Sequence, residues 1–334
     1  MISISHGSCQ PQHEPWTLDR LVHEWSIALG MSINNSSHIT YTSALNLYLT
    51  FCKIHKFNIM PTEQTLSFYA VYMSSHIKPT LVNSYLFGIC NQLEPFYPDE
   101  RKARNSMLVS HTMTGCQCHF GTPVKWKHPL STSDLQTVIS AIGSLIHHDD
   151  KLFLSMLETG FHGLMRLGEI SFPDNITWHN YQKVILQHTV DITEKSYSFW
   201  LPGHKADHFY KGNLIIIEKT TLPTDPYSFF VSYLQSWDTL HLLKPELWLC
   251  ESGKVLTHSW FMKWLCRFFP ADIAGQSMHA GGATSLAEAG VPPNIIQEIG
   301  WWASDTFWIY IRKNPVLLQA MLFRHPAHQP ATNI

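Results

Sequence analysis

The hydrophobic pattern changes part-way along this 334-residue chain, and that change constrains the fold most. From residue 17 to about residue 112, apolar residues recur every three or four positions, which is typical of amphipathic helices. The first set is Leu18, Leu21, Val22 and Trp25. Helices are predicted at 17–29, 40–57, 61–76, 80–98 and 100–113. No strand is predicted in this region.

A segment without periodicity follows at 115–129 and contains two glycines and two prolines. It indicates a boundary between domains, since linkers are rich in such residues. We predict five parts: a tail at 1–16, a helical domain at 17–120, a linker at 121–129, a second domain at 130–325 and a tail at 326–334.

The second domain mixes patterns, so we predict an α+β fold that is mainly α with a small antiparallel sheet. The sheet is predicted from β-branched and aromatic runs at 184–190, 197–201 and 214–218. A helix at 130–142 has Thr132 or Ser133 as its candidate N-cap, and two apolar helices surround Gly160 and Gly163. Further helices are predicted at 226–236, 258–269, 281–289, 292–299 and 303–311.

Charge and composition exclude some classes of protein. No apolar run approaches the roughly 20 residues that a membrane span needs, and we expect no signal peptide. The seven scattered cysteines favour free thiols. The net charge is −2. Residues 1–130 hold 9 Lys/Arg and 7 Asp/Glu (net +2), and residues 131–334 hold 14 and 18 (net −4). This balance disfavours nucleic acid unless basic residues cluster locally.

Four segments carry residues with chemistry. GLMRLGEIS (163–171) contains Arg166 and, three residues on, Glu169. WLPGHKADHFYKGN (200–213) has Lys205 at a predicted hairpin tip, QSMHAGGATSLAEAG (276–290) is a helix rich in small residues, and EIGWWASDTFWIYIRKNP (298–315) contains Tyr310. Taken singly, each has a plain reading: a helical salt bridge, a solvated lysine, a packed helix and a core aromatic.

Their order along the chain resembles the tyrosine recombinase and phage-type integrase family. The likeness extends over about residues 38–320 and beyond the reactive residues. TLVNSYLFGICNQLEPFYPDERKAR (80–104) and KHPLSTSDL (127–135) look like the domain junction of recombinases from fungal mobile elements. The resemblance implies a helical core-binding domain followed by a tyrosine-recombinase-like catalytic domain. It also implies double-stranded DNA as partner and a reaction that uses no metal and no cofactor.

The resemblance implies roles for individual residues. Tyr310 would attack a DNA phosphodiester to form a 3′-phosphotyrosyl link, and Lys205 would protonate the leaving oxygen. Arg166 would be the first of two phosphate-binding arginines, and Glu169 would orient it. A late hydrogen-bond donor is Trp302 by the local motif or Trp301 by its spacing of nine to the tyrosine.

The chain departs from the family at its His-x-x-Arg motif, where it has Gln276 and His279. Glutamine is neither acid nor base, and histidine has at most a partial charge near pH 7. We therefore expect strand breaking and rejoining to be weakened or lost. The alternatives are a catalytically inactive DNA-binding descendant and an interaction protein that keeps only the fold.

Other features give weaker expectations. Five basic residues near the linker are candidate phosphate contacts, with a plain solvated surface as the alternative: Arg101, Lys102, Arg104, Lys125 and Lys127. Cys116, Cys118 and His119 lack a second ligand pair at finger spacing, so no metal site is predicted. The run 147–150 reads as a solvated loop. The apolar stretch 315–323 would pack against a neighbouring copy or its own domain, and a DNA substrate implies a nuclear location.

Overall fold

The computed structural model describes residues 14–31, 35–123, 127–143, 147–204, 207, 211–270 and 272–302. Its contacts divide the chain into two compact units, Met1–Val124 and Lys125–Ile334. Both are described below by their own elements. Lys125, Lys205 and Tyr310 lie outside the described residues, and so does the helix predicted at 303–311. No described helix is long and apolar enough to cross a membrane.

The described part of the first unit is helical. Its elements are α1 (Leu18–Met31), α2 (Asn35–His55), α3 (Glu63–Ser74), α4 (Pro79–Leu93), α5 (Glu100–Arg104) and α6 (Met107–Phe120). Tyr48 of α2 and Tyr69 of α3 meet edge to face in the core, with ring centroids 5.4 Å apart. The apolar residues at helical spacing in α1 are exposed in this unit, with Leu18 at 74% and Trp25 at 63%.

The helix predicted at 100–113 is two helices in the structure, and the second extends beyond the prediction. The hydroxyl of Ser106 accepts a hydrogen bond from the Val109 N–H and starts α6 as its N-cap. The helix then continues to Phe120, through residues predicted to be aperiodic. Its buried side chains are Val109, Met113 and Cys116, at positions i, i+4 and i+7, so the helical period continues into the cysteine-containing segment.

The second unit surrounds a three-stranded antiparallel sheet. The strands are β1 (Asp191–Ile192), β2 (Ser196–Leu201) and β3 (Asn213–Glu218), in the order β1-β2-β3. Phe199 pairs with Ile215, and both point into the core. The helices are α7 (Thr132–Ile142), α8 (His148–His162), α9 (Leu167–Ile170), α10 (Pro226–Leu240), α11 (His258–Leu265), α12 (Gln276–Glu288) and α13 (Pro293–Ile299). The predicted fold class is confirmed.

The strand predicted at 184–190 is wrong. Residues Gln187–Thr189 form a 3-10 turn, and only Asp191–Ile192 join the sheet. The apolar segment binds a loop instead, because the carbonyl of Ile185 accepts from the Leu247 N–H at 2.9 Å. Val184 and Ile185 are therefore buried without belonging to the sheet.

Three local predictions also need correction. The N-cap of α7 is Ser131, whose hydroxyl accepts from the Asp134 N–H while the Asp134 carboxylate accepts from the Ser131 N–H. Helix α8 runs through Gly160 to His162, so the break lies at Gly163 alone. His148 is buried at the start of α8, not solvated, and its ring nitrogens bind the Ser236 hydroxyl and the Leu249 carbonyl, each at 2.9 Å.

Two glycines allow α12 to pack against backbone. A Cβ atom at Gly281 would lie 2.2 Å from the carbonyl oxygen of Leu130, and one at Gly282 would lie 2.0 Å from that of Phe161. A side chain at Gly281 would push α12 away from Leu130, and one at Gly282 would push it away from the end of α8. This close approach brings the start of α12 next to the segment that carries Arg166.

Candidate active site

Arg166 is held by Glu169 at the start of α9. The Arg166 backbone N–H donates to Glu169 Oε2 at 2.9 Å, and its Nη1 donates to Oε1 at 3.0 Å. The Glu169 side chain is almost buried, whereas 28% of the Arg166 side chain remains exposed. The carboxylate therefore fixes the direction of the guanidinium through both the backbone and the side chain. Arg166 is the N-cap residue of α9 and not an interior helical residue.

The same guanidinium contacts the tryptophan-rich turn far along the chain. Arg166 Nη2 donates to the carbonyl oxygen of Gly300 at 3.2 Å. This glycine is the C-cap of helix α13, and a Cβ there would lie 2.0 Å from the ring of Trp302. Gly300 therefore allows the carbonyl to reach Arg166 while the Trp302 ring packs over it.

His279 is 2% exposed and lies close enough to Arg166 for its charge to act on the imidazole. Its Nδ1–H donates to the carbonyl of Leu164 at 2.5 Å, and its ring centroid is 4.2 Å from that of Trp302. Leu164, whose carbonyl accepts this bond, has a positive φ of 48°. Burial lowers the pKa of His279 to about 4, and the nearby Arg166 charge adds to this, while the Leu164 carbonyl offsets part of it. The imidazole is therefore neutral at neutral pH.

The two tryptophans occupy different environments. Trp302 is 6% exposed and packs with Leu164, Ala283 and Ile296. Trp301 is partly exposed, and its ring stacks on His204 with centroids 4.8 Å apart and planes at 15°. Trp302 is thus a core residue that supports His279, and Trp301 lies beside the loop between β2 and β3. The sequence left open whether Trp301 or Trp302 is the late hydrogen-bond donor. The greater exposure of Trp301 favours Trp301.

Hydrogen bonds made by Asp207 join the two ends of the described part of the β2–β3 loop. The Asp207 N–H donates to the His204 carbonyl at 2.9 Å, and Asp207 Oδ2 accepts from the Gly212 N–H at 2.9 Å. Gly212 has φ +67°, where a Cβ would meet the Trp200 indole at 2.5 Å. These contacts hold His204 at the position where its ring meets Trp301.

The four sequence segments therefore meet in space. Arg166 joins the first segment to Gly300 in the last, His279 joins the third to Leu164 in the first, and His204 joins the second to the last. Gln276 is exposed at the first position of α12. The positions of Lys205 and Tyr310 fall outside the described residues, so their places in this cluster remain predictions.

Comparison with solved structures identifies the fold. No protein-family model matches the chain, and no curated protein matches it by sequence. Several DNA-bound structures match its backbone, among them the following two. One is the XerH site-specific recombinase bound to difH substrate, with 15% identity over 84% of this chain and 77% of that chain at a TM-score of 0.56. The other is a lambda integrase (75–356) dimer bound to a COC′ core site, with 13% identity over 88% and 95% at 0.53.

This chain has the tyrosine recombinase fold. At these identities the likeness concerns the fold, so the chemistry rests on the residues themselves. With this fold established, His204, Leu164 and Gly300 are the site residues that the sequence did not single out. His204 directly precedes the predicted lysine, which was the only available hint. The roles of Leu164 and Gly300 rest on backbone carbonyls, whose direction no sequence motif specifies.

Three of the basic residues proposed for phosphate contact lie on α5 in the first unit. Arg101 forms an ion pair with Glu94, and Lys102 pairs with Asp99 at 2.8 Å. Arg104 lies over the ring of Phe87, 5.1 Å from its centroid. Lys127 is exposed in the second unit. Local carboxylates thus offset two of the α5 charges, and DNA binding there would have to compete with these pairs.

Proposed function

We propose that this protein binds double-stranded DNA and retains a weakened form of tyrosine recombinase chemistry at the Arg166 site. The observation that supports this is the contact of one partly exposed guanidinium with the distant Gly300, while the charge of Arg166 also acts on His279 from a third segment. A packed structural salt bridge needs only Glu169. Glu169 and Gly300 accept from two of the five N–H groups of the guanidinium, and 28% of the side chain is exposed, so further donors suit a phosphate.

In the proposed reaction, the Tyr310 hydroxyl loses its proton to water, and its oxygen attacks the phosphorus of a DNA phosphodiester. The bond to the 5′ oxygen breaks, that oxygen takes a proton from Lys205, and a 3′-phosphotyrosyl link remains. Attack by a 5′-hydroxyl reverses the step and frees the tyrosine. Arg166 would neutralise charge on the non-bridging oxygens, and Trp301 would donate a further hydrogen bond from its indole N–H.

The chemistry is weakened because position 279 supplies no charge. A neutral imidazole bonded to the Leu164 carbonyl replaces a guanidinium with several donors, and Gln276 cannot transfer a proton. Loss of one fixed donor to a developing anion typically slows a reaction by about 10²–10³-fold. We therefore propose slow cleavage combined with ordinary DNA binding.

A nicked duplex that traps the covalent adduct tests this proposal. Wild-type protein should accumulate a slow protein–DNA adduct, and Tyr310→Phe should form none while binding DNA with the same affinity. Binding should weaken steeply as salt rises, because phosphate contacts release counterions. A flat salt dependence together with no adduct would overturn both parts of the proposal.

A second candidate is an interaction protein that keeps only the fold. The observation that favours it is charge: residues 131–334 carry a net of −4, and the described α5 cations Arg101 and Lys102 are paired with acids. Such a protein would show no salt-dependent affinity for any duplex. The same salt titration therefore separates the two candidates.

Three further expectations accompany the first proposal. The protein would descend from a fungal mobile element and act in the nucleus, and its apolar segment at 315–323 would pack on a neighbouring copy on DNA. Light scattering of the protein–DNA complex at several concentrations checks the last point. A monomer on DNA at every concentration would exclude the exchange.

A further inference from the structure

The segment at 246–251, which follows α10, is held by buried side chains, although it lies outside the helices and the three-stranded sheet. The Tyr233 hydroxyl of α10 donates to the Leu247 carbonyl at 2.7 Å. The indole N–H of Trp237, one turn further along α10, donates to the Glu246 carbonyl at 3.1 Å. Helix α10 therefore orders the 246–251 segment through side chains that bind its backbone.

A buried histidine at the start of α8 binds the same segment. His148 is 3% exposed, and its Nε2–H donates to the Leu249 carbonyl at 2.9 Å. Because a carbonyl only accepts, the neutral ring carries its proton on Nε2, and Nδ1 accepts from the Ser236 hydroxyl at 2.9 Å. Both ring nitrogens are thus hydrogen-bonded when the ring is neutral.

A second buried histidine lies beside the first. His241 is the C-cap of α10 and is 6% exposed, and its ring centroid is 5.2 Å from that of His148. Its Nε2 is buried and has no hydrogen-bond partner among the described residues. A proton added at this nitrogen would place a charge in a buried site next to another imidazole, which is unfavourable.

Titratable and charged groups reach the two imidazoles from both helices and from the loop after α10: Asp149 from α8, Tyr233 from α10, and Lys244 and Cys250 from the loop. Burial, and then the neighbouring His148, lower the pKa of His241 from its ordinary 6.5, and Lys244 adds to this. The Cys250 backbone and the α8 carboxylate offset part of the change. Burial raises the pKa of the Cys250 thiol to about 12 and also raises that of the Tyr233 phenol, so both stay neutral near pH 7.

We propose that His148 and His241 form a pH-sensitive switch, in which a proton taken from solvent by His241 releases the 246–251 segment from α8 and α10. The released form exposes the charged imidazole to water, whereas the closed form buries it. Because the closed form has the lower pKa, the contact is complete above pH 6.5 and weakens as the pH falls below 6.5. The switch does not depend on the proposed DNA chemistry.

The released segment is linked to the chain that follows α9. The Leu256 N–H donates to the Trp248 carbonyl at 3.4 Å, and the Leu256 carbonyl accepts from the Phe172 N–H at 2.9 Å. Phe172 directly follows Ser171, the C-cap of α9. Release of the 246–251 segment therefore loosens the backbone contact next to the helix that Arg166 begins.

Hydrogen–deuterium exchange of the full chain at pH 7.5 and pH 5.5 tests the switch. Each rate is divided by the intrinsic exchange rate at that pH, which gives the protection of each amide. Protection over 246–251 should fall by up to about tenfold at pH 5.5, because the open form protonates with an ordinary pKa of 6.5 and the closed form resists. The Phe172 amide should lose protection with it.

Variants assign the effect to His241. His241→Gln keeps a hydrogen-bond donor and cannot take a proton, so its protection should differ by less than about twofold between the two pH values. His241→Phe, which keeps a ring, should give the same result if the glutamine variant does not fold. His258→Gln removes an exposed imidazole from the same region and should keep the wild-type response.

Constant protection in the wild type, or a pH response that persists in His241→Gln or His241→Phe, would overturn the proposal. A fall over 246–251 with no change at Phe172 would refute the link to α9.

Discussion

The neutral state of His279 can be tested through stability, independently of any activity. His279 is buried, its Nδ1–H is bonded to Leu164, and Arg166 is the charged group that acts on it among the described residues. Its pKa falls from an ordinary 6.5 to about 4. The folded protein therefore resists protonation at this site, whereas the unfolded chain accepts a proton below about pH 6.5.

The direction of the pH effect on stability depends on whether the folded or the unfolded state binds the proton. Above pH 6.5 neither state is protonated at position 279, so protonation of His279 does not lower the free energy of unfolding there. As the pH falls from 6.5 to 4, the unfolded chain gains a proton that the folded protein does not, and stability is lost. The full difference of 2.5 pKa units corresponds to about 3 kcal/mol, of which about 2 kcal/mol is lost by pH 5.

The assay compares the free energy of unfolding in urea for wild-type protein and His279→Gln at pH 7.5 and pH 5. Glutamine does not titrate, so the gap between the two proteins should shift by about 2 kcal/mol in favour of the variant at pH 5. His119→Gln, which removes an exposed imidazole, serves as the control. A gap that stays constant between the two pH values would show that His279 is not held neutral, and the explanation for weak cleavage would fail.

Three more perturbations follow from the same contacts. His279→Arg with Gln276→His should raise adduct formation on the nicked duplex by about 10²–10³-fold per restored group; no gain in a folded variant would contradict the assignment of these positions. Burial raises the pKa of Glu158, so its carboxyl costs stability once ionised. Glu158→Gln should therefore stabilise the protein against urea at pH 8.5 and leave it unchanged at pH 4; a loss at pH 8.5 would refute this. Gly282→Ala should destabilise the protein by about 1–3 kcal/mol, because its Cβ would meet a carbonyl at 2.0 Å. Gly115→Ala, where nothing lies within 4 Å, should stabilise its helix by about 0.5–1 kcal/mol in thermal unfolding, and equal effects would argue against the close packing of α12.

Local patterns were sufficient for much of the fold. The β-branched and aromatic residues of 197–201 and 214–218 predicted the paired strands β2 and β3, because such side chains suit a pleated, half-buried surface. Helical spacing predicted α2, α3, α4 and α10 to within a few residues. The strand predicted at 184–190 failed because β-branched residues also suit a buried loop, and only contacts with the Leu247 segment decide between the two.

The sequence alone determined which chemical groups were available and in what order. Arg166 with Glu169 three residues later, and histidine in place of arginine at 279, are facts of spacing and residue type. Tertiary structure decided that Gly300 accepts from Arg166, that Trp301 faces His204, and that His279 is neutral. These properties depend on burial and charge created by residues about one hundred or more positions apart. Periodicity and motif spacing act over a few residues, so they carry no information about that environment.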